Sequence, residues 1–235
     1  MSALPYIDFD AYDQQALVDV PPDSPPLPVA SPVHIDVAQN TDEWFQVRCG
    51  KITASRISDV LAGGKGITRE KYLCQLAIER LTNTPVRGGF KSRATEHGNA
   101  YENEALELYS LLNDVDIEKV GFACHPTLAN AGCSPDALVG IDGMVQVKAP
   151  DPHTHVGYCL SKQVPRDYAL QIQWEMACTG RQWSDFISYD PDQIPRLRLL
   201  TIRIVRDGGL IRTLEQAAVE FDQEVNDLVT KLRTL

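Results

Sequence analysis

The 235-residue chain contains no Cys-x-x-C pair, no run of 18 apolar residues, and no Lys or Arg in residues 1–43. Each absence removes a class of protein. Six cysteines stand at positions 49, 74, 124, 133, 159 and 178 without the spacing of a zinc ribbon or an iron–sulfur cluster, and they read as reduced, mostly buried thiols. No basic start leads into an apolar run, so neither secretion nor membrane insertion is indicated and a cytoplasmic protein is expected. The length suits one sizeable core, and one domain is the default.

The formal net charge of −10 argues against a nucleic-acid partner until its distribution is followed. Residues 1–43 carry eight acids and no base, which leaves −2 for the remainder (−10 + 8). Between Trp44 and Arg93, ten Lys/Arg stand against three Asp/Glu. A local basic surface of this kind is the footprint expected against phosphates, although each base taken singly also fits a solvated helix face.

Seven of the fifteen prolines fall in the first forty residues, with Pro21 to Pro28 at the centre. This acidic segment, 1–40, cannot build a core and reads as an extended arm on the body or on a neighbouring subunit. A compact domain starts near Gln39. Thr53 is expected to cap a short helix through about Ala62, stopped by Gly63-Gly64, and Thr68 to cap a second with Tyr72, Leu76 and Leu81 on one side. A third is predicted over about 92–112, with Ala105, Leu108 and Leu112 inward. Strands follow at about 115–124, 133–139 and 143–149, then a helix at 166–179 closed by Gly180, strands near 183–189 and 197–205, and a last helix at 209–233. That last helix carries Leu214, Ala218, Phe221, Val225, Leu228 and Leu232 as one apolar stripe. The order implies an α/β fold, a mixed central sheet flanked by helices.

The chemistry concentrates around one hairpin. Asp142-Gly143 is a strong two-residue turn signal between Ala137-Leu138-Val139 and Met144 to Lys148. Alternation along the second strand sends Val145 and Val147 to the core and puts Gln146 and Lys148 together on the other face. Asp136, on the partner strand, is brought to the same end. An acid, a second polar residue two before a lysine, and that lysine suit metal-dependent phosphodiester hydrolysis, though an edge hairpin with a solvated polar face has the same pattern. Here the second acid is an amide. His153-x-His155 suggests a metal pair, but both fall in an expected loop and read as solvated.

Several short motifs then recur in order: Asp42-Glu43-Trp44 with Arg48, Gly50 to Ser55, His97 to Glu104, Ser134-Pro135-Asp136, Gln146-Val147-Lys148, Gln171-Ile172-Gln173-Trp174 and Tyr189-Asp190-Pro191. Together they resemble the lambda exonuclease or YqaJ-type phage recombinases, within the PD-(D/E)xK nuclease superfamily, from about Thr41 to the C-terminal helix. The resemblance implies a restriction-endonuclease-like fold over 41–235. It implies that Asp136, position 146, the Val147 carbonyl and Glu102 hold two Mg²⁺ (or Mn²⁺) ions, that Lys148 orients the attacking water, and that Gln171 braces the site. Arg48, Ser55, Arg93 and Ser134 match positions that bind the 5′-phosphate of the digested strand, with Arg93 in place of the usual lysine. The ordinary alternatives are a solvated glutamate for Glu102, a helix-surface amide for Gln171, a surface ion pair for Arg48, a cap for Ser55 and a turn hydroxyl for Ser134.

The implied activity is 5′-to-3′ digestion of duplex DNA ends, leaving 3′ single-stranded tails. A ring of three subunits and a single-strand annealing partner are implied with it. Where the family has glutamate this chain has Gln146, which removes a full charge beside a divalent ion. The expectation is a chain that binds ends but cuts poorly or not at all, whether the amide was introduced or is natural. A non-catalytic end-binding module that recruits a recombination partner is the competing class, and an endonuclease of the same superfamily is a third.

Overall fold

A computed structural model describes residues 33–62, 67–86 and 93–235, with the side chains of 93–100 excepted. The acidic arm before Val33, the Gly63-Gly64 stop and the side chains of Arg93 and of His97 to Ala100 therefore lie outside the described residues. Nine strands and seven α-helices are seen among them: β1 His34–Ile35, α1 Asp42–Arg48, β2 Ile52–Thr53, α2 Ile57–Leu61, α3 Ile67–Thr82, α4 Arg93–Asn113, β3 Ile117–Glu118, β4 Phe122–Cys124, β5 Ala131–Cys133, β6 Ala137–Val139, β7 Gly143–Lys148, α5 Pro152–Ser161, α6 Arg166–Thr179, β8 Trp183–Tyr189, β9 Leu199–Val205 and α7 Gly208–Leu232.

The expected mixed sheet is present, but it is divided in two. A small sheet runs in the order β1-β4-β5-β2 and a larger one in the order β3-β6-β7-β8-β9. The stretches predicted as single strands at 115–124 and 133–139 each break and send one half to each sheet. Proline explains the second break, because Pro135 offers no N–H to a ladder. Ser134-Pro135-Asp136 is thereby the link from the small sheet into the large one. Gln39 pins it, donating from Nε2 to the carbonyls of Val120 (2.9 Å) and Pro135 (3.1 Å).

The β6–β7 turn also differs from its sequence signal. Val139 pairs with Gly143 and Ala137 with Val145, so the loop is Gly140-Ile141-Asp142, with Gly140 in the left-handed region (φ +53°). Gly143 serves packing instead: a Cβ there would lie 2.1 Å from the Trp183 ring. The shift decides the site. A turn at Asp142-Gly143 would set Asp136 opposite Ala149, whereas the actual register, extended by one residue, sets it opposite Gln146.

β7 is central, antiparallel to β6 and parallel to β8, and a parallel pair needs a crossover. α5 and α6 make it. Val145 and Val147 pack with Leu106 and Tyr109 of α4, while Met144 packs with Ile172 and Met176 of α6. The second face of β7 is therefore covered and not solvated, and Gln146 is only 2% exposed.

The remaining helices form one more layer, in which α7 buries Leu214, Ala218, Phe221 and Val225 against Tyr72 and Leu76 of α3. Leu112 and Leu232 are exposed, contrary to their expected inward positions, since each lies in the last turn of its helix beyond the core. Thr53 makes no side-chain cap, preceding a 3₁₀ turn at Ala54–Arg56, and Thr68 lies inside α3. α1, capped by Thr41, and α5 were not foreseen; α5 withdraws His155 from solvent. His155 is fully buried between the Ser188 hydroxyl and the Leu197 carbonyl, each 2.7 Å away. Of the cysteines only Cys133 and Cys178 are buried, and all six are free thiols.

Candidate active site

The centre of the site is Asp136. Its Oδ2 accepts the backbone N–H of Val147 at 2.6 Å and an N–H of the Gln146 amide. The carbonyl of Val147 lies 3.5 Å from the Gln146 Nε2. Gln171, one turn into α6, donates from Nε2 both to Gln146 Oε1 (2.9 Å) and to Glu175 Oε1 (2.8 Å). Asp136, Gln146, Gln171 and Glu175 thus form one chain of hydrogen bonds behind the sheet. Glu175 is the member sequence reasoning missed. Its signal was its place four residues after Gln171, a lone acid in an otherwise apolar and amide-bearing stretch, on the same helix face.

Burial sets the electrostatics. The Asp136 carboxyl is pushed up to about 7, first by removal from water and then by the Glu102 carboxylate. Glu175, completely buried, is pushed up to about 8 by burial and then by Asp136, and its Oε2 has no hydrogen-bond partner among the described residues. Glu102 is also raised, by burial, with Lys119 and Lys148 opposing. These shifts share one cause, carboxylates crowded where water cannot solvate them.

Asp136 and Glu102 line a cavity of about 440 Å³ with Asn103, Lys119 and residues 36–40. Lys119, also unremarked in the sequence, donates to Asn103 Oδ1 there. Lys148 ends β7 with its Nζ 5.0 Å from the Tyr168 ring, half-buried on the α6 side. Among the described residues no group of three or more His, Cys, Asp or Glu forms a ready metal cluster. The donors near the centre are nonetheless hard oxygens, the Asp136 carboxylate, the Val147 carbonyl and the Glu102 carboxylate, while the Gln146 amide presents its N–H to Asp136 and its oxygen to Gln171. Together with the unpartnered Glu175 oxygen they fit Mg²⁺ or Mn²⁺ and not a thiolate-seeking metal.

A second cluster sits on the other side of Pro135. The Ser134 hydroxyl accepts from Trp44 Nε1 (2.9 Å) and from Arg48 Nη1 (3.2 Å), and the Arg48 guanidinium lies 4.0 Å above the Trp44 ring. Burial pulls the Arg48 pKa down. Arg48, Lys51, Ser55 and Arg56 line a pocket of about 230 Å³ beside them. Arg48 is thus joined to Ser134 by a hydrogen bond and to Ser55 by the shared pocket. Much of the wider basic surface is neutralised, however: Arg69 pairs with Glu224 at 2.8 Å, Arg80 with Asp222 at 2.5 Å, and Arg56 with Asp59.

Comparison with known proteins gives this arrangement a lineage. The model of the YqaJ-like viral recombinase domain matches residues 43–182. An alkaline exonuclease from Laribacter hongkongensis is 36% identical, with 83% of this chain and 97% of that chain covered and a TM-score of 0.77. Its complex with dAMP superposes with a TM-score of 0.78, at the same identity and coverage. A phage-related exonuclease from Haemophilus somnus shares the fold at 17% identity, covering 77% and 96% of the two chains with a TM-score of 0.62. No curated protein sequence matches the chain. With a family model over more than half its length and an exonuclease relative along most of it, the chain belongs to the YqaJ-like viral recombinase family and has the fold and role of a nuclease.

Proposed function

We propose that the protein digests duplex DNA from 5′-phosphorylated ends in the 5′-to-3′ direction, releasing mononucleotides and leaving 3′ tails for annealing. The observation that carries this reading is the spacing of the two clusters. Ser134, hydrogen-bonded to Arg48 of the basic pocket, and Asp136, at the carboxylate centre, are two residues apart and so at most about 7 Å apart along the chain, on the scale of one nucleotide step. A terminal phosphate held by Arg48, Ser55 and Ser134 leaves the next phosphodiester at Asp136. That the relative was obtained with dAMP, a mononucleotide, agrees with such a step.

Divalent ions held by Asp136, Gln146, the Val147 carbonyl and Glu102 would polarise the phosphate and lower the pKa of an attacking water. Arg48 supplies charge-assisted hydrogen bonds to the terminal phosphate, and Arg93 belongs to the same reading. Lys148 carries positive charge to the water's side, and Gln171 holds the Gln146 amide in register. The proposal extends, by the resemblance alone, to a ring of three subunits around the duplex and a single-strand annealing partner.

A second reading, an end-binding module without catalysis, draws on one observation: the Gln146 amide turns its N–H toward Asp136, where a ligand oxygen is needed. Assays on linear duplex bearing 5′-phosphate or 5′-hydroxyl ends, and on closed circles, separate the readings. Mg²⁺-dependent mononucleotide release from phosphorylated ends is expected, stopped by EDTA, with Gln146→Glu raising it. Cleavage of closed circles would refute the exonuclease reading, and an inert Gln146→Glu chain that still binds ends would establish the module.

A further inference from the structure

We propose that Glu175 supplies the negative charge that Gln146 lacks, so that the site holds a divalent cation with the amide in place. The inference rests on the nuclease reading above and adds a residue to it. Glu175 acts through its charge and not as a ligand, and the hydrogen bond from Gln171 fixes its place behind Gln146.

Helix α6 itself supplies the contrast. It buries two polar side chains completely, Gln173 and Glu175. Gln173 is satisfied at both ends, donating to the Val205 carbonyl (2.8 Å) and accepting the Asp207 N–H (2.9 Å). Glu175 is held at Oε1 alone, while Oε2 has no partner among the described residues. A core does not keep an acid in that state for packing, since a protonated Oε2 would want an acceptor as much as an ionised one wants a donor. A nearby cation answers the charge.

The position of Glu175 is the second argument. A single Gln171 Nε2 serves both Gln146 Oε1 and Glu175 Oε1, so the carboxylate lies directly behind the amide that faces Asp136. Arg48 and Lys148 exert their charge on Glu175, but neither is hydrogen-bonded to it in the described structure. Coulomb attraction falls only as the inverse of distance, and more slowly screened where water is excluded, so a carboxylate one layer behind the ligand retains much of its pull. The amide stands in front at 146 and the acid behind at 175.

Exchanging the two is the test. Four chains are compared without DNA: the unchanged protein, Gln146→Glu, Glu175→Gln, and the double exchange. Mn²⁺ binding is read from the electron paramagnetic resonance of the free ion, with melting in EDTA as a folding control. Glu175→Gln is expected to weaken Mn²⁺ binding about tenfold or more, and the double exchange to return within about threefold of the unchanged chain. Unaltered Mn²⁺ affinity in Glu175→Gln overturns the proposal, as does a double exchange that stays as weak as Glu175→Gln. If Glu175→Gln does not fold, the double exchange decides: Mn²⁺ binding supports the proposal, whereas failure to bind or to fold overturns it. An incorrect nuclease reading would leave the exchange pattern intact but DNA undigested; an incorrect role for Glu175 would abolish the pattern and leave digestion intact.

Discussion

Asp185 and Asp136 are both buried aspartates at the larger sheet, and their neighbours treat them oppositely. Asp185, on β8, accepts from the Tyr109 hydroxyl (2.7 Å) and from Nε and Nη2 of Arg203 (2.8 and 2.9 Å), and that guanidinium stacks 3.7 Å above the Trp183 ring. Asp136 has an amide and one backbone N–H on a single oxygen, no ion pair among the described residues, and two further carboxylates in electrostatic reach. A fully paired buried acid belongs to the architecture. A half-paired one beside other acids keeps free energy in reserve for a ligand.

Substitution should separate the two most widely. Asp136→Asn is expected to lower DNA digestion on the order of 10²–10³-fold or more while leaving melting in EDTA unchanged or raised. Asp185→Ala should do the reverse, costing roughly 1–3 kcal/mol of stability through the orphaned Tyr109 and Arg203 donors, with the rate per folded molecule retained. The pair is measured by initial rates and thermal melts, and equal melting losses would erase the distinction.

A smaller effect concerns the pocket across Pro135. Arg48→Ala should reduce the preference for 5′-phosphate over 5′-hydroxyl ends on the order of tenfold, the worth of one charge-assisted contact. The ratio of initial rates on the two ends reads it directly, and an unchanged ratio removes Arg48 from phosphate recognition.

A last effect is on pH. Asp136 and Glu175 hold their protons more tightly in the fold than in the open chain, so protonation stabilises the metal-free protein below about pH 4, and that contribution is lost as pH rises through about 7 and 8. In EDTA, melting should fall steadily between pH 5 and pH 8. Divalent cation should reverse the slope, because it competes with those same protons. A flat profile without metal would mean that these acids are as well satisfied as Asp185.

Local signals read well wherever the chain had little choice. Helix α6 runs over Arg166–Thr179 with Gly180 left-handed at its end, as its glycine stop required, and α7 and β8 follow their periodicity closely. The nearness of Asp136 and Gln146 was legible in the hairpin pattern, whereas Arg48 and Ser134 were joined only by the resemblance, which several short motifs in order carried. Glu175 was not legible, because its meaning depends on burial, and a glutamate on a helix looks the same in sequence whether solvated or sealed. His155 misled for that reason too: only packing of α5 against β8 shows that its ring nitrogens are occupied by Ser188 and Leu197.

By itself the sequence determined the kind of fold, most element boundaries and the candidate residues of the site, since these follow from periodicity, stop signals and side-chain chemistry within a few residues. Tertiary structure alone decided the register that sets Asp136 opposite Gln146, the division of the strands between two sheets at Pro135, and the arrival of Glu175 behind the amide. The physical reason is the range of the forces. Turn and helix preferences act over a few neighbouring residues, whereas register was settled by Gly140 at the turn and by Trp183 packing on Gly143 from a strand forty residues away. The charge state of each acid was settled by how completely distant helices exclude water from it.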